Sequence, residues 1–442
     1  MADIYRANFF HSPAKGQIER VDDAFLLIKD GAIASVVTSQ EHRWQELQNE
    51  PATDLRDQGF LLPGFVDLHI HAPQFPQLGQ ALDVPLEVWL QTHTFPLEAR
   101  YKDLDYADGV YRTLVRTLLA NGTTTAMYFA TIHNPASLRL AEICLEMGQR
   151  ALVGRVAMDL ADECPDFYRD ASAEESVALT EEFIAAVPGL AGNHTGLVKP
   201  VITPRFIPSC SDKALQGLGD MAHRTGAHVQ THCSESDWEH GHVLARCGKT
   251  DTEALAEFGL LGRHTILAHS NFITDDDMDM IRKRGAGVAH CPLSNVYFSN
   301  AVFPLRRALE KGLHVGLGTD ISGGPSASLL DSVRMSIAAS RMMEDGVDAK
   351  SQAGERGTPD SRIDFRTAFW LATRGGGEAL DLPVGCFTPG NQFDAILVRL
   401  PEEYHGDEDA AGDALLQKIV MLATRESIHA TFVAGRLVNG AV

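Results

Sequence analysis

Pro63-Gly64-Phe65-Val66-Asp67-Leu68-His69-Ile70-His71 is an apolar, β-prone run that ends on two histidines. Alternate residues of a strand share a face, so His69 and His71 project together where the run stops. Two imidazoles presented side by side by a rigid strand suit a borderline-soft cation such as Zn²⁺. Alone, such a pair more often describes two interior histidines with protein partners, so the surrounding chain has to decide. Short apolar runs recur along it at Leu61–Leu68, Thr123–Ala130, Ala151–Met158, Val198–Thr203, His228–Thr231, Thr265–Ala268, Gly287–Ala289 and Val315–Leu317. Helix-length segments such as Leu104–Ala120 and Ser326–Met342 lie between or after them. This alternation is the pattern of βα units, and eight strands is the number a closed (β/α)₈ barrel of the TIM type needs.

Four further polar residues fall at or just beyond the C-terminal ends of these runs. His232 follows Val229-Gln230-Thr231, and Glu235 comes three residues later. His269 follows Ile266-Leu267-Ala268, and Asp320 ends Val315-Gly316-Leu317-Gly318-Thr319 before the flexible Ser322-Gly323-Gly324. Barrel enzymes build their sites at that end, so these side chains are expected to converge with His69 and His71. The set reads as three or four nitrogen ligands and one carboxylate around a single metal, with a position left open for water. Asp320 can ligate the metal or accept the water's proton. Glu235 stands outside the His-x-His pair on a loop and is the best general acid/base candidate. The chemistry expected is hydrolysis at an electrophilic carbon.

The two ends of the chain have a different texture. Phe25–Val37 contains two β-prone runs broken at Asp30-Gly31, a hairpin signal. Asp394–Val398 and Ala430–Gly440 again read as strand and hairpin, and the acidic stretch Glu402–Asp413 between them reads as a solvated loop. Residues 1–65 and 386–442 are therefore expected to pair into one small composite β-sandwich beside a catalytic barrel over 66–385. The 442 residues carry 44% hydrophobic and 22% charged side chains, a globular composition. Acidic residues outnumber basic ones 59 to 38, and the resulting charge of -21 argues against a dedicated nucleic-acid binder. No apolar run approaches the roughly 18 residues of a membrane span, and Met1–Arg6 lacks a signal-peptide pattern. Seven cysteines without a Cys-x-x-Cys pair read as reduced thiols, hence a cytoplasmic protein.

The order His69-x-His71, His232, His269, Asp320 resembles the amidohydrolase superfamily of metal-dependent barrel hydrolases, and His232-x-x-Glu235 resembles its one-metal deaminase branch. Within that branch the chain is similar to the guanine deaminase family. The similarity lies in Ala72-Pro73-Gln74, Trp89-Leu90 with Thr94-Phe95-Pro96-Leu97-Glu98, Asn121-Gly122-Thr123-Thr124-Thr125, Ile202-Thr203-Pro204-Arg205-Phe206 and Cys291-Pro292-Leu293-Ser294-Asn295. It covers about residues 60–390. The resemblance implies hydrolytic deamination of guanine to xanthine and ammonia by a metal-activated hydroxide, a step of purine catabolism or salvage. It implies His69, His71, His232 and Asp320 as ligands of one Zn²⁺ per chain, with Fe²⁺ as the alternative. Glu235 would be the proton shuttle, and His269 would stand beside the reacting water and, with the metal, stabilise the oxyanion. Gln74, Arg205 and Phe206 would hold the purine, with His71, His232, Glu235 and Asp320 also facing it. Guanine and water are the expected partners, and a homodimer the expected assembly. Ser236 stands where the family has asparagine, and Lys199, near the fourth strand end, does not match the bridging lysine of two-metal relatives.

The purine-holding residues also make chemical sense on their own. Arg205 offers a planar fork of donors, Phe206 a flat apolar face, and Gln74 both a donor and an acceptor. A surface salt bridge for Arg205 and core packing for Phe206 are the plainer alternatives. Deamination of another aminated heterocycle (8-oxoguanine, cytosine or a triazine) needs the same metal ligands, and a barrel that has lost its chemistry could persist as an assembly protein. His240 and His242, two apart without strand character, are read as no second metal pair. Cys233 is expected to point away from the site, and Asp275-Asp276-Asp277 to start a helix.

Overall fold

The computed structural model describes residues 3–299, 301–404 and 413–442. The N-terminal segment forms β1 (Asp3–His11), β2 (Glu19–Lys29), β3 (Ala32–Val37), the short β4 (Thr53–Asp54) and β5 (Phe60–Pro63). Eight strands follow: β6 (Phe65–His71), β7 (Thr123–Phe129), β8 (Arg150–Ala157), β9 (Val198–Pro204), β10 (His228–Cys233), β11 (Thr265–His269), β12 (Gly287–His290) and β13 (His314–Leu317). They close as a parallel barrel, sealed where Leu317 of β13 pairs with Asp67 of β6. The eight expected strands are all present, with one difference. Leu61–Leu68 is not one strand, because Pro63 ends β5 in the other sheet and the barrel begins at Phe65. Gly64 sits at that division, where a Cβ would fall 2.2 Å from the Thr124 hydroxyl.

The C-terminal strands β14 (Ala395–Val398), β15 (Ile428–Val433) and β16 (Arg436–Gly440) join the N-terminal ones in a second, mixed sheet of order β16-β15-β14-β5-β1-β2-β3, with β4 beside β1. Its seam is the antiparallel pairing of β5 with β14, Leu61 opposite Leu397. Both hairpins turn on residues of positive φ, Asp30 (52°) with Gly31 (78°) and Ala434 (46°) with Gly435 (76°), the geometry that matches strand twist in a two-residue loop. Of the expected acidic loop Glu402–Asp413, residues 405–412 lie outside the described residues; Glu402–Tyr404 forms a 3₁₀ turn.

Helices sheathe the barrel. Leu104–Ala120 spans the expected residues, and Asp103 caps it by accepting from the Asp105 and Tyr106 amides. Tyr111, Leu114, Val115 and Leu118 repeat at helical spacing and pack with Ile70, Ala126, Tyr128 and Val153 of the strands. Each such fully buried side chain contributes roughly 1.5–3 kcal/mol of transfer free energy. The second expected helix runs Leu329–Asp345, three residues later than its sequence pattern suggested. Asp275–Arg284 is the expected acid-started helix, capped by Thr274 and Asp277.

Candidate active site

β6 ends on His69 and His71, and the interior carboxylate of Asp67 fixes how that end is held. It accepts from the Thr319 hydroxyl (2.6 Å), the Thr319 amide (3.0 Å) and the His69 amide (3.2 Å). Burial pushes the Asp67 carboxyl up to about 7. This clamp ties β6 to the segment leading from β13 to Asp320. Gly318 permits the approach, since a Cβ there would lie 2.8 Å from Cys291 Sγ and 2.9 Å from the Cβ of His69. Asp320, His269 and Ser234 sit at φ of 50°, 67° and 47°, a left-handed conformation that costs a non-glycine residue about 1–3 kcal/mol. Such strain collects where side chains are aimed rather than packed.

The aimed groups meet. His69 Nε2 and His71 Nε2 lie 3.2 and 3.5 Å from Asp320 Oδ1, and His71 Nε2 lies 3.0 Å from His232 Nε2. His232 donates from Nδ1 to the Arg205 carbonyl at 2.6 Å, which leaves a lone pair on its Nε2. Burial first, then the neighbouring imidazoles, holds His69, His71 and His232 well below the usual histidine range. Neutral rings facing one another with lone pairs repel unless something electron-poor sits between them. His69 Nε2 is buried without a hydrogen-bond partner, and His69, His71 and His232 offer ligand atoms within 4.8 Å of one another. These residues fit a single divalent cation. Cys291 also approaches His69 and His269, but its thiol donates to the Ala289 carbonyl at 3.4 Å.

Glu235 and His269 complete the floor. Glu235 is buried, and burial with the nearby Asp320 charge raises its carboxyl well above the usual range; Oε1 lies 3.6 Å from His269 Nε2. His269 Nε2 is 3.8 Å from Asp320 Oδ2. Its Nδ1–H donates to Asn295 Oδ1 (3.0 Å), Asn295 Nδ2 donates to Asn271 Oδ1 (2.7 Å), and Asn271 Nδ2 donates to the Glu235 carbonyl (2.9 Å). That chain assigns the lone pair of His269 to Nε2, the atom facing the site, so neutral His269 accepts a proton there before it can donate to an oxyanion. Ser236, where the resemblance leads one to expect asparagine, caps Asp237–Cys247 by accepting from the Glu239 amide. Asn271 and Glu239 instead hold the Glu235 backbone, the latter accepting from its amide at 2.5 Å.

With these groups come Gln74, in the turn after β6, and Arg205 and Phe206, just beyond β9. All three are buried and line one pocket with His71, His232, Glu235 and Asp320, under walls from Leu86, Trp89, Leu90 and Phe298. Arg205 is no surface ion pair: its partner is the fully buried Glu98. The sequence alone gives no role to Glu98, Asn271 and Asn295, although Glu98 ends Thr94–Glu98 and Asn295 ends Cys291–Asn295. Lys199 is the second residue of β9, at the end of the barrel opposite the site. Cys233 Sγ faces Thr252 at 3.8 Å, away from the site. His240 and His242 take separate partners, Asp251 and Glu163.

Comparison with known proteins agrees with this geometry. Residues 60–438 match the model of the amidohydrolase family. The chain is 36% identical to human guanine deaminase over 455 residues, covering 99% of this chain and 97% of the human one. It is 30% identical to the Escherichia coli K12 guanine deaminase, over 95% of this chain and 91% of that protein. Among solved structures, the guanine deaminase of C. acetobutylicum with guanine bound in its active site superposes with a TM-score of 0.89 at 30% identity, covering 99% and 100% of the two chains. With a closed barrel, converging histidines and a match over most of its length, the chain belongs to the amidohydrolase family.

Proposed function

We propose that this protein hydrolyses guanine to xanthine and ammonia, with His69, His71, His232 and Asp320 holding one Zn²⁺, or alternatively Fe²⁺. The observation that carries the reading is that two kinds of group line one buried pocket. The imidazoles of His71 and His232 with Asp320 and Glu235 share it with Arg205, Gln74 and Phe206. When bound, such a cation lowers the pKa of a water from 15.7 toward about 7.

The chain's own residues do the rest. Phe206 gives the flat base an apolar face, and Arg205 directs N–H donors toward a carbonyl-bearing edge. That arrangement turns the opposite carbon, C2 with its amino group, toward Glu235 and Asp320. The water's oxygen adds at C2, and its proton passes to Glu235 Oε1, whose raised proton affinity suits it to hold it. Glu235 then protonates a ring nitrogen. The second proton of the water is taken by Asp320 or by His269 Nε2 and given to the amino group, which leaves as ammonia. Atoms balance as guanine plus water to xanthine plus ammonia. Chelation followed by re-addition of metal tests the reading: ammonia and xanthine should form one to one, stop on metal removal and return with Zn²⁺. Undiminished turnover after complete metal removal would contradict it. All seven cysteines are unpaired, which supports a reducing, cytoplasmic setting. The resemblance supports a homodimer, which light scattering tests. No helix among the described residues is long and apolar enough to cross a membrane.

A further inference from the structure

The helical turn Phe95–Ala99 carries two side chains that the proposed reaction leaves unused. It follows directly on a π-helical turn, Leu90–Thr94, a distortion frequent at functional sites. Phe95 and Glu98, three residues apart, share one face of the turn and are buried. Both reach Arg205, far along the chain. The guanidinium carbon lies 5.0 Å from the Phe95 ring centroid, while Nη1 donates to Glu98 Oε2 at 2.8 Å and Nη2 to Oε1 at 3.2 Å. Glu98 Oε1 also accepts from Gln74 Nε2 at 2.8 Å, and Gln74 Oε1 accepts from the Ser322 amide at 3.2 Å. One buried carboxylate thus fixes both polar groups assigned above to the base.

This arrangement decides which donors remain. A guanidinium carries five N–H groups in a rigid fork, and the end-on pairing uses one from each terminal nitrogen. The Nε–H and the second Nη2–H are left as a parallel pair along the side of the group. The ion pair is neutral as a whole, so what it offers is a pair of oriented donors without a net positive charge. That suits the acceptor edge of an uncharged ring better than an anion. We infer that Glu98 is a positioning residue of the base subsite: it holds Arg205 end-on, so that the side of its fork meets the base, and it locks Gln74 in the same grip. The inference rests on the reading that Arg205 and Gln74 contact the base.

Glu98→Gln tests it, because the amide keeps the shape but turns one acceptor oxygen into a donor facing the guanidinium. Steady-state kinetics on guanine should show KM raised on the order of tenfold to a hundredfold, as expected for losing hydrogen bonds to a charged group. The kcat should stay within about threefold, since the reacting groups are untouched. Metal per chain should be unchanged by elemental analysis. Glu98→Asp keeps the buried charge paired, so it serves if the glutamine variant does not fold, and it should raise KM less. In an Arg205→Ala background, Glu98→Gln should add no further rise in KM. There it should also raise the melting temperature, because it removes a carboxylate left buried without its partner. Equal effects of Glu98→Gln with and without Arg205, an unchanged KM, or kcat, KM and metal content falling together would each overturn the inference. Guanine kinetics left intact by Arg205→Ala alone would instead remove the reading beneath it, and that result does not depend on the Glu98 variants.

Discussion

Glu235 is buried beside His269 and Asp320, and its carboxyl is held well above the ordinary range by burial and the Asp320 charge. Glu235→Gln keeps the volume and the hydrogen bonding but cannot exchange a proton. The turnover rate should fall by about 10²–10⁴-fold or more while metal content stays near normal. A near-native rate would move the shuttle elsewhere, with Asp320 the first candidate. Arg205→Ala should lower catalytic efficiency on guanine far more than it alters metal binding, and Phe206→Ala should weaken binding of any flat base by about 1–3 kcal/mol, read as an inhibition constant. The candidate metal ligands are legible in the sequence because His69, His71 and His232 are alternate or near-terminal residues of short apolar runs, where strand geometry sets the facing, and Asp320 closes the segment leading out of β13. Glu98 is not, although it closes a motif that marked the family. Its meaning lies in a contact with Arg205, 107 residues away, and no local pattern records such a pairing. His269 was legible as a site residue, but the atom that carries its proton is set by Asn295 and Asn271, on two other segments.

At the scale of elements, the strand ends carry the chemistry and the strand starts carry stability. His228 opens β10 and is buried, its Nε2 2.9 Å from the Leu380 carbonyl that ends the helix Gly376–Leu380. Burial is the largest cause lowering its pKa, to about 4 from 6.5, against the smaller opposing effect of that hydrogen bond. The folded state therefore binds fewer protons than the unfolded one between those values. Its share of stability is complete above about 6.5 and is lost as pH falls toward 4, at up to about 1.4 kcal/mol per pH unit. His228→Gln retains a donor for Leu380 and removes the titration. Denaturant midpoints of that variant should fall less steeply than wild type between pH 6.5 and 4.5; parallel curves would contradict the assignment. All eight barrel strands were foreseen, most within a residue or two of their ends. The one division missed, at Gly64, separates two apolar runs that are both buried, so hydrophobicity gives no sign of the change of sheet.

At the scale of the whole molecule, both ends of the chain close one sheet beside the barrel, and residues from four of its eight strand ends line a single pocket, with His269 of a fifth beside Glu235. That convergence predicts one tightly held divalent metal per chain by elemental analysis. His69→Ala should purify largely metal-free, and two metals per chain would contradict the one-metal site. Guanine presents a carbonyl acceptor at its six-position, where adenine presents an amino donor that would face the Arg205 donors. Sites built around such a hydrogen bond reject the mismatched analogue by on the order of 10⁴–10⁵. The central claim is then tested most directly by initial rates of ammonia release from guanine, 8-oxoguanine, adenine, cytosine and an amino-triazine, supplied separately at equal concentration to the metal-loaded enzyme. Guanine should be deaminated fastest and adenine not measurably; a higher rate on cytosine or the triazine would contradict the substrate assignment even with the metal chemistry intact.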